Sequence, residues 1–190
     1  RTMKELNAHA ESFSHLVDYD TTFRIFYSED SAIQDSSYID KLTKVYEALK
    51  MLNVDVGFIT ASELNTLSSD KVVVVPPTPF LSYWAYKALQ DHAAKKILVN
   101  RQDSFVKNQH GKPRNQPQMP SYADITLGGV FDMADELASN VNSLATPRKV
   151  DFQITDMQNQ AAYGVFVRQF TDDSGDTTLS IINVSKDKRK

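Results

Sequence analysis

The sequence predicts an α/β fold, in which a parallel sheet carries helices on both faces and a short antiparallel β segment follows. Short apolar runs that suit buried strands alternate with segments whose apolar residues recur every three or four positions. The connections between these segments are short, as in right-handed βαβ units. After Val150 the composition changes to that of paired antiparallel strands.

Strands and helices alternate through the first 145 residues. The unbroken valines of Lys71–Val75 indicate a strand that is covered on both faces. Pro79 suits the first turn of a helix, because its missing N–H would have no partner there. The four predicted strands are Phe23–Ser28, Val54–Thr60, Lys71–Val75 and Lys96–Asn100. The three predicted helices are Ser37–Asn53, Pro79–Lys95 and Asp132–Leu144.

The remaining segments predict a loop and a second domain. Arg101–Tyr122 is polar and lacks apolar periodicity, so we expect a long loop that is solvated or lies at an interface. Pro147 marks the expected boundary between an α/β domain, 1–147, and a β segment, 148–190, that starts a C-terminal β-sandwich. The predicted strands of the β segment are Asp151–Thr155, Ala162–Phe170 and Thr177–Val184, with a hairpin turn at Asp172–Gly175.

Composition excludes several classes of function. The chain has 190 residues, no cysteine and a formal net charge of −3. It therefore has no thiol nucleophile and no thiolate metal ligand, and its charge does not favour nucleic acid. No apolar run is long enough to span a membrane. The chain starts at Arg1 without the pattern of a signal peptide, so we expect a piece excised from a longer protein.

No set of residues in the sequence predicts a catalytic, cofactor or metal site. Retaining glycosidases need two carboxyls ~5 Å apart on a rigid scaffold. Glu29–Asp30 follows the first strand, but acids before Ser31 are typical of a helix entry. Asp135–Glu136 suits a helix start, and Asp172–Asp173 suits a turn. The histidines lack ligand spacing; they are His9, His15, His92 and His110.

Two groups of residues suggest binding rather than catalysis. A basic cluster within the loop has the composition of a polyanion site, such as one for a sulfated glycan, but the net charge of −3 opposes this, and we expect a solvated or interface loop instead. Aromatic residues on the second helix indicate a core or subunit interface. The basic cluster consists of Arg101, Lys107, Lys112 and Arg114, and the aromatic group of Tyr83, Trp84 and Tyr86.

The pattern resembles the middle domain of family 42 glycoside hydrolases. The residues that carry the resemblance are Phe23–Ile33 (FRIFYSEDSAI), Tyr38, Tyr46–Leu49 (YEAL) and Val54–Thr60 (VDVGFIT). In those β-galactosidases, and in similar agarase-like enzymes, a catalytic barrel precedes an α/β domain likened to class I glutamine amidotransferases or flavodoxin, and a small β-domain follows. That α/β domain is non-catalytic and serves trimer assembly.

The resemblance implies a scaffolding and oligomerisation domain without cofactors, whose partners are a catalytic barrel and further copies of the chain. The parent enzyme would hydrolyse β-galactosidic bonds with two glutamates that are absent here. One alternative is a small-molecule-binding or regulatory domain that uses the loops after the strands, at Ser28, Thr60, Thr78 and Asn100. Another is a carbohydrate-binding module, which would require exposed aromatic residues near the loop.

Overall fold

The computed structural model describes residues 17–18, 21–52, 54, 56–114, 119–144, 165–171 and 177–183. They form two compact units. The first is Thr21–Thr146, and the second contains the short strand β1 (Val17–Asp18) together with two strands near the end of the chain. Each unit has its own sheet.

The first unit is built on a five-stranded, all-parallel sheet. Its strands are β2 (Phe23–Phe26), β3 (Val56–Ile59), β4 (Val72–Val75), β5 (Lys95–Val99) and β6 (Ala123–Ile125). The spatial order is β3-β2-β4-β5-β6, which is the order of flavodoxin-like doubly wound sheets. The predicted α/β fold is thus confirmed, and β6 adds a strand that the sequence did not predict.

Helices cover both faces of this sheet. They are α1 (Glu29–Gln34), α2 (Tyr38–Met51), α3 (Tyr83–Asp91) and α4 (Val130–Leu144). The apolar sides of α2 and α4 pack on the face that carries Phe23, Ile25 and Val74. The opposite face, with Phe26 and Val75, is covered by α3 and by residues of the connecting segments. Two separate apolar cores result, one on each face of the sheet.

The helix predicted from Pro79 begins four residues later. Ser82 is the N-cap of α3, and its Oγ accepts a hydrogen bond from the backbone N–H of Ala85 at 3.3 Å. Trp84, which was expected in the core or at a subunit interface, is exposed. Asp135 and Glu136 were expected to open a helix, but α4 starts at Val130 and they lie in its second turn.

Most of the described residues in the segment 101–122 are exposed or half-buried, but Ser104, Phe105 and Met119 are buried, which a wholly solvated loop would not show. A 3₁₀ turn, Arg101–Asp103, follows β5 directly. Phe105 and Met119 are buried in the core beneath α3. Lys107 forms isolated bridges with both Phe80 and Pro113. A long polar connection therefore provides the cover that a helix would give in a regular βαβ unit.

The second unit contains a three-stranded sheet, in which β7 (Val165–Thr171) lies between β1 and β8 (Thr177–Asn183). β7 and β8 pair antiparallel, and β1 pairs antiparallel with β7. β1 comes from the stretch that was assigned to the domain 1–147. The predicted strand Asp151–Thr155 and the turn Asp172–Gly175 lie outside the described residues.

Candidate functional site

The carboxyl ends of β2 and β4 meet at the point where an open parallel sheet binds its ligands. The two strands are neighbours, but the helix after β2 packs on one face of the sheet and the helix after β4 on the other. Connections that leave in opposite directions open a crevice between them. This crevice is the candidate site that the fold itself provides.

The protein's own backbone fills this crevice. The peptide of Phe80, in the connection after β4, lies against two buried serines from the connection after β2. Ser31 Oγ donates to Phe80 O at 2.6 Å and accepts from Phe80 N at 3.0 Å. Ser28 Oγ donates to the same carbonyl oxygen at 3.0 Å. The hydroxyls that would bind a ligand are therefore used to close the site.

A buried tyrosine supports the crevice from below. The Tyr38 hydroxyl accepts a hydrogen bond from the backbone N–H of Ser28 at 2.9 Å and donates to Phe26 O at 3.4 Å. Burial raises the pKa of Tyr38 to about 12, so the phenol is neutral at physiological pH. Its role here is to hold the end of β2 in place.

The two acidic residues after β2, Glu29 and Asp30, lie at helix N-termini. Ser28 is the N-cap of α1 and accepts from Ser31 N at 3.2 Å, while Glu29 and Asp30 lie in the first helical turn. Asp30 Oδ2 also accepts from the backbone N–H of Ser82 at 2.7 Å, at the start of α3. A carboxylate beside two helix N-termini is electrostatically favourable. The predicted helix-entry role of Glu29–Asp30 is confirmed.

The connections after β4 and β5 are joined in the same way. Thr78 N donates to Ser104 Oγ at 3.2 Å, and Phe105 N donates to Thr78 O at 2.7 Å. Phe105 adopts a positive φ of 63°, which is strained for an aromatic residue. Its ring meets Tyr86 edge-on, with the centroids 5.4 Å apart. Burial of this ring holds the strained backbone in position.

All four loop residues proposed for a small-molecule site have partners within the chain. Ser28 bonds Phe80 as described, and Thr78 Oγ1 donates to Pro76 O at 2.7 Å. Thr60 donates through both its N–H and its hydroxyl to Glu63 Oε2, each at 2.8 Å. Asn100 donates through Nδ2 to Asp103. The structure therefore does not direct these groups towards a ligand.

The basic cluster divides into two parts. Arg101 joins the start of the connection after β5 to its end and to β6: Nε donates to Asp124 Oδ2 at 2.8 Å, Nη1 to Met119 O at 2.9 Å, and Nη2 to Ser121. It is a structural brace. Of the other three cations, Lys107 and Arg114 lie near the start of α3, and Lys112 is exposed.

Arg114 and Lys107 both lie over aromatic rings. The Arg114 guanidinium is 4.9 Å from the centroid of Tyr86, and Nη2 donates to Leu81 O. Within the described part of the chain, Arg114 Nη1 is buried without a hydrogen-bond partner. Burial lowers the pKa of Arg114 below its ordinary value. Lys107 Nζ lies 5.1 Å from the centroid of Phe80.

The predicted aromatic group is partly buried and partly exposed. Tyr86 belongs to the core, as expected, whereas Tyr83 is 71% exposed and Trp84 59% exposed. Both stand in the first turn of α3, directly after the segment that closes the crevice. Exposed aromatic residues near the loop were the requirement set for carbohydrate binding. The sequence could not separate these rings from the buried one, because all three lie within four residues.

The histidines that the structure describes have ordinary environments. His92 Nε2 lies 3.0 Å from Leu67 O, and Nδ1 accepts from Ala94 N at 3.1 Å, at the end of α3. His110 is exposed, and His9 and His15 lie outside the described residues. No cluster of three metal-ligating side chains occurs among the described residues. Nor does any helix described here have the length and apolar character needed to cross a membrane.

Comparison with known proteins identifies the fold through solved structures. No family model and no curated protein matches the chain. An exo-carrageenase GH42 from Bacteroides ovatus matches over 97% of this chain, with a TM-score of 0.63 and 20% identity. A β-galactosidase from Bacillus circulans sp. alkalophilus matches over 95%, with a TM-score of 0.63 and 14% identity.

A third similar structure is Gan42B, a GH42 β-galactosidase from G. stearothermophilus, with a TM-score of 0.54 and 10% identity over 88% of this chain. The chain spans 26%, 38% and 39% of these three proteins in the order given. At such identities the likeness shows a shared fold. The chain thus has the fold of one part of larger GH42 structures.

Proposed function

We propose that the chain is a non-catalytic scaffolding and oligomerisation domain of a glycoside hydrolase that acts on β-galactosidic bonds, a β-galactosidase or an agarase-like enzyme. The catalytic barrel of the parent enzyme would be its main partner, and the β segment would begin a further β-domain. The observation that carries this proposal is the closed crevice between β2 and β4. A domain that bound substrate or a small regulator at the usual place would keep this crevice open.

The positions of the acids support a non-catalytic role. A retaining glycosidase holds two carboxyls ~5 to 5.5 Å apart with a free face towards the sugar. The carboxylates along the carboxyl edge instead accept bonds from their own chain. Asp30 accepts from Ser82 N, Glu63 from Thr60, and Glu136 Oε2 from Thr126 N at 3.0 Å. These three carboxylates order connections between elements.

An apolar surface beside β3 suits self-association. β3 is the edge strand of the sheet, and Phe58 on it is 52% exposed. Its ring stacks on Tyr46 of α2, with centroids 5.9 Å apart. Ile39, seven residues before Tyr46 and so on the same side of α2, is also exposed. An apolar patch next to an edge strand is typical of an interface between chains. We call Ile39, Tyr46 and Phe58 the β3-edge surface.

Sedimentation velocity over a range of concentrations tests this assignment. We expect the chain to associate, and Phe58→Glu to shift the distribution to monomer, because a charge would be buried at the contact. Phe131→Glu is the matched control: Phe131 is 57% exposed and lies in the first turn of α4, which follows the opposite edge strand β6. A chain that stays monomeric, or equal dissociation by both variants, would contradict assembly through the β3-edge surface.

A further inference from the structure

We propose that the start of α3 carries a binding site for a sulfated galactan chain. The site consists of the aromatic rings of Phe80, Tyr83 and Trp84 with the cations Lys107 and Arg114, and we call it the α3 surface. The inference rests on the proposed function in that it names a polysaccharide that such a hydrolase would meet. It assigns binding to a surface outside the closed crevice.

Among the described residues, Tyr83 and Trp84 have the most exposed aromatic rings, and they lie on the solvent side of α3. Tyr83 and Trp84 are 71% and 59% exposed, while the next two residues, Ala85 and Tyr86, are buried. Large aromatic side chains at adjacent exposed positions do not stabilise the core, so their exposure points to an external partner. The C–H groups of a galactose ring are attracted to the electron-rich face of an aromatic ring. Flat, amphipathic rings are therefore suitable for stacking sugars.

The backbone beneath these rings is fixed before any ligand arrives. Ser82 caps α3 through Ala85 N, and the Ser82 N–H is held by Asp30. The peptide of Phe80 is held on both sides by Ser31. A rigid platform loses less conformational entropy on binding than a mobile loop does, and this favours affinity. The bonds that close the crevice thus also orient the α3 surface.

Charge selects an anionic ligand. Lys107 is exposed beside the Phe80 ring, and Arg114 has a buried Nη1 without a hydrogen-bond partner among the described residues. Because Nη1 has no exposed surface, it cannot reach an external ligand; a sulfate group would instead bind the exposed Lys107 ammonium, and the charge of the neighbouring Arg114 would add to the attraction. Asp30 lies near enough to act on the pKa of Arg114, but its Oδ2 already accepts from Ser82 N. The surface therefore offers cations on a chain whose net charge is −3.

This combination distinguishes the α3 surface from the β3-edge surface. The β3-edge surface is defined by apolar and aromatic side chains alone, whereas the α3 surface also carries two cations: Lys107 over the Phe80 ring, and Arg114 over the buried ring of Tyr86. Stacked rings flanked by cations match the alternating apolar faces and sulfate esters of a sulfated galactan. A second copy of the chain is the competing occupant, and the experiment below separates the two.

Tryptophan fluorescence gives a direct readout, because Trp84 is the single tryptophan of the chain. The full chain is titrated with a sulfated galactan, with the same polymer after desulfation, and with a polyuronate of similar charge density. We expect the sulfated polymer to change the emission and to protect Trp84 from acrylamide quenching. The desulfated polymer is expected to bind roughly tenfold more weakly. Affinity for the sulfated polymer should fall with salt. Equal effects of sulfated and desulfated polymer would overturn the proposal; tighter binding of the polyuronate would reassign the site to carboxylates.

Variants separate this site from assembly and from misfolding. Affinity electrophoresis in gels with sulfated galactan should show Trp84→Ala and Lys107→Gln retarded less than wild type, with Trp84→Ala losing roughly tenfold in affinity. Phe131→Glu, which is expected to leave assembly intact, is the control; relative to a gel without polymer it should be retarded as wild type. Wild-type retardation of Trp84→Ala, at an unchanged melting temperature, would refute the glycan site. Dissociation of oligomers by Trp84→Ala would assign the surface to a second copy instead. Loss of glycan binding with assembly intact leaves the proposed scaffolding role standing.

Discussion

Removal of one hydroxyl tests whether the crevice between β2 and β4 is closed by the bonds described. Ser31 is fully buried, and its Oγ is bonded to both polar groups of the Phe80 peptide. Ser31→Ala removes that oxygen and little volume. The serine lies in a short helix, where alanine is well tolerated. The loss in stability therefore reports the hydrogen bonds rather than a cavity or a change in helix propensity.

The magnitude follows from what each group of Phe80 loses. Phe80 O keeps the bond from Ser28 Oγ at 3.0 Å, so the loss of one of its two donors costs about 0.5–1 kcal/mol. Phe80 N has Ser31 Oγ as its acceptor in a partly buried site, and leaving it unpaired costs about 1–2 kcal/mol. The sum, about 2 kcal/mol, corresponds to a fall of about 4–8 °C in the melting temperature of a chain of this size.

Urea unfolding followed by far-ultraviolet circular dichroism measures this difference. We expect the midpoint of Ser31→Ala to fall with no change in the slope of free energy against urea. The matched control is Ser36→Ala, an exposed serine between α1 and α2, which should stay within about 0.5 kcal/mol of wild type. If the two variants lose the same small amount, the bonds to Phe80 do not close the crevice and the argument against a ligand there fails.

Three further predictions concern other residues. Because burial raises the pKa of Tyr38 to about 12 from an ordinary value near 10, its contribution to stability is intact below pH 10 and is lost between pH 10 and 12. As the pH rises from 10 to 12, the unfolding free energy of Tyr38→Phe should therefore fall less than that of wild type. The exposed Tyr122→Phe should show the same fall as wild type. Phe105→Ala should cost about 3–5 kcal/mol and speed tryptic cleavage after Lys107, as mapped by mass spectrometry. The chain should not hydrolyse chromogenic β-galactosides; turnover that Glu29→Gln abolishes would contradict the non-catalytic proposal.

The sequence predicted the sheet well where burial alone decides the structure. Every residue of β4 is buried, and its run of valines is unambiguous for that reason. β6 was missed because it has three residues, of which only Ile125 is buried. Its pairing with β5 makes it a strand, and no local pattern encodes that pairing. Element type was thus predictable where apolar periodicity is long.

The candidate site was not predictable, because its bonds join distant parts of the chain. Ser28 and Ser31 bond a peptide about fifty positions away. No spacing rule covers such a pair, and serine at a helix start looks the same with or without that contact. The position at which α3 starts is also determined by a bond between distant parts of the chain. Pro79 suits a first turn locally, but the peptide of Phe80 is bonded to Ser31, and the helix begins only after Ser82.

The connection after β5 accounts for the exposed rings at the start of α3. In a regular doubly wound fold, a helix after β5 would pack beside α3 and cover its flank. Here the connection after β5 inserts Phe105 into the core beneath α3 and bonds the end of β4 through Thr78. That connection, which also carries Lys107, contacts the start of α3 and leaves Tyr83 and Trp84 exposed. We therefore infer that binding on this domain takes place on the outer surface of α3, because the peptide of Phe80 after β4 closes the usual crevice while the connection after β5 supplies cations beside α3.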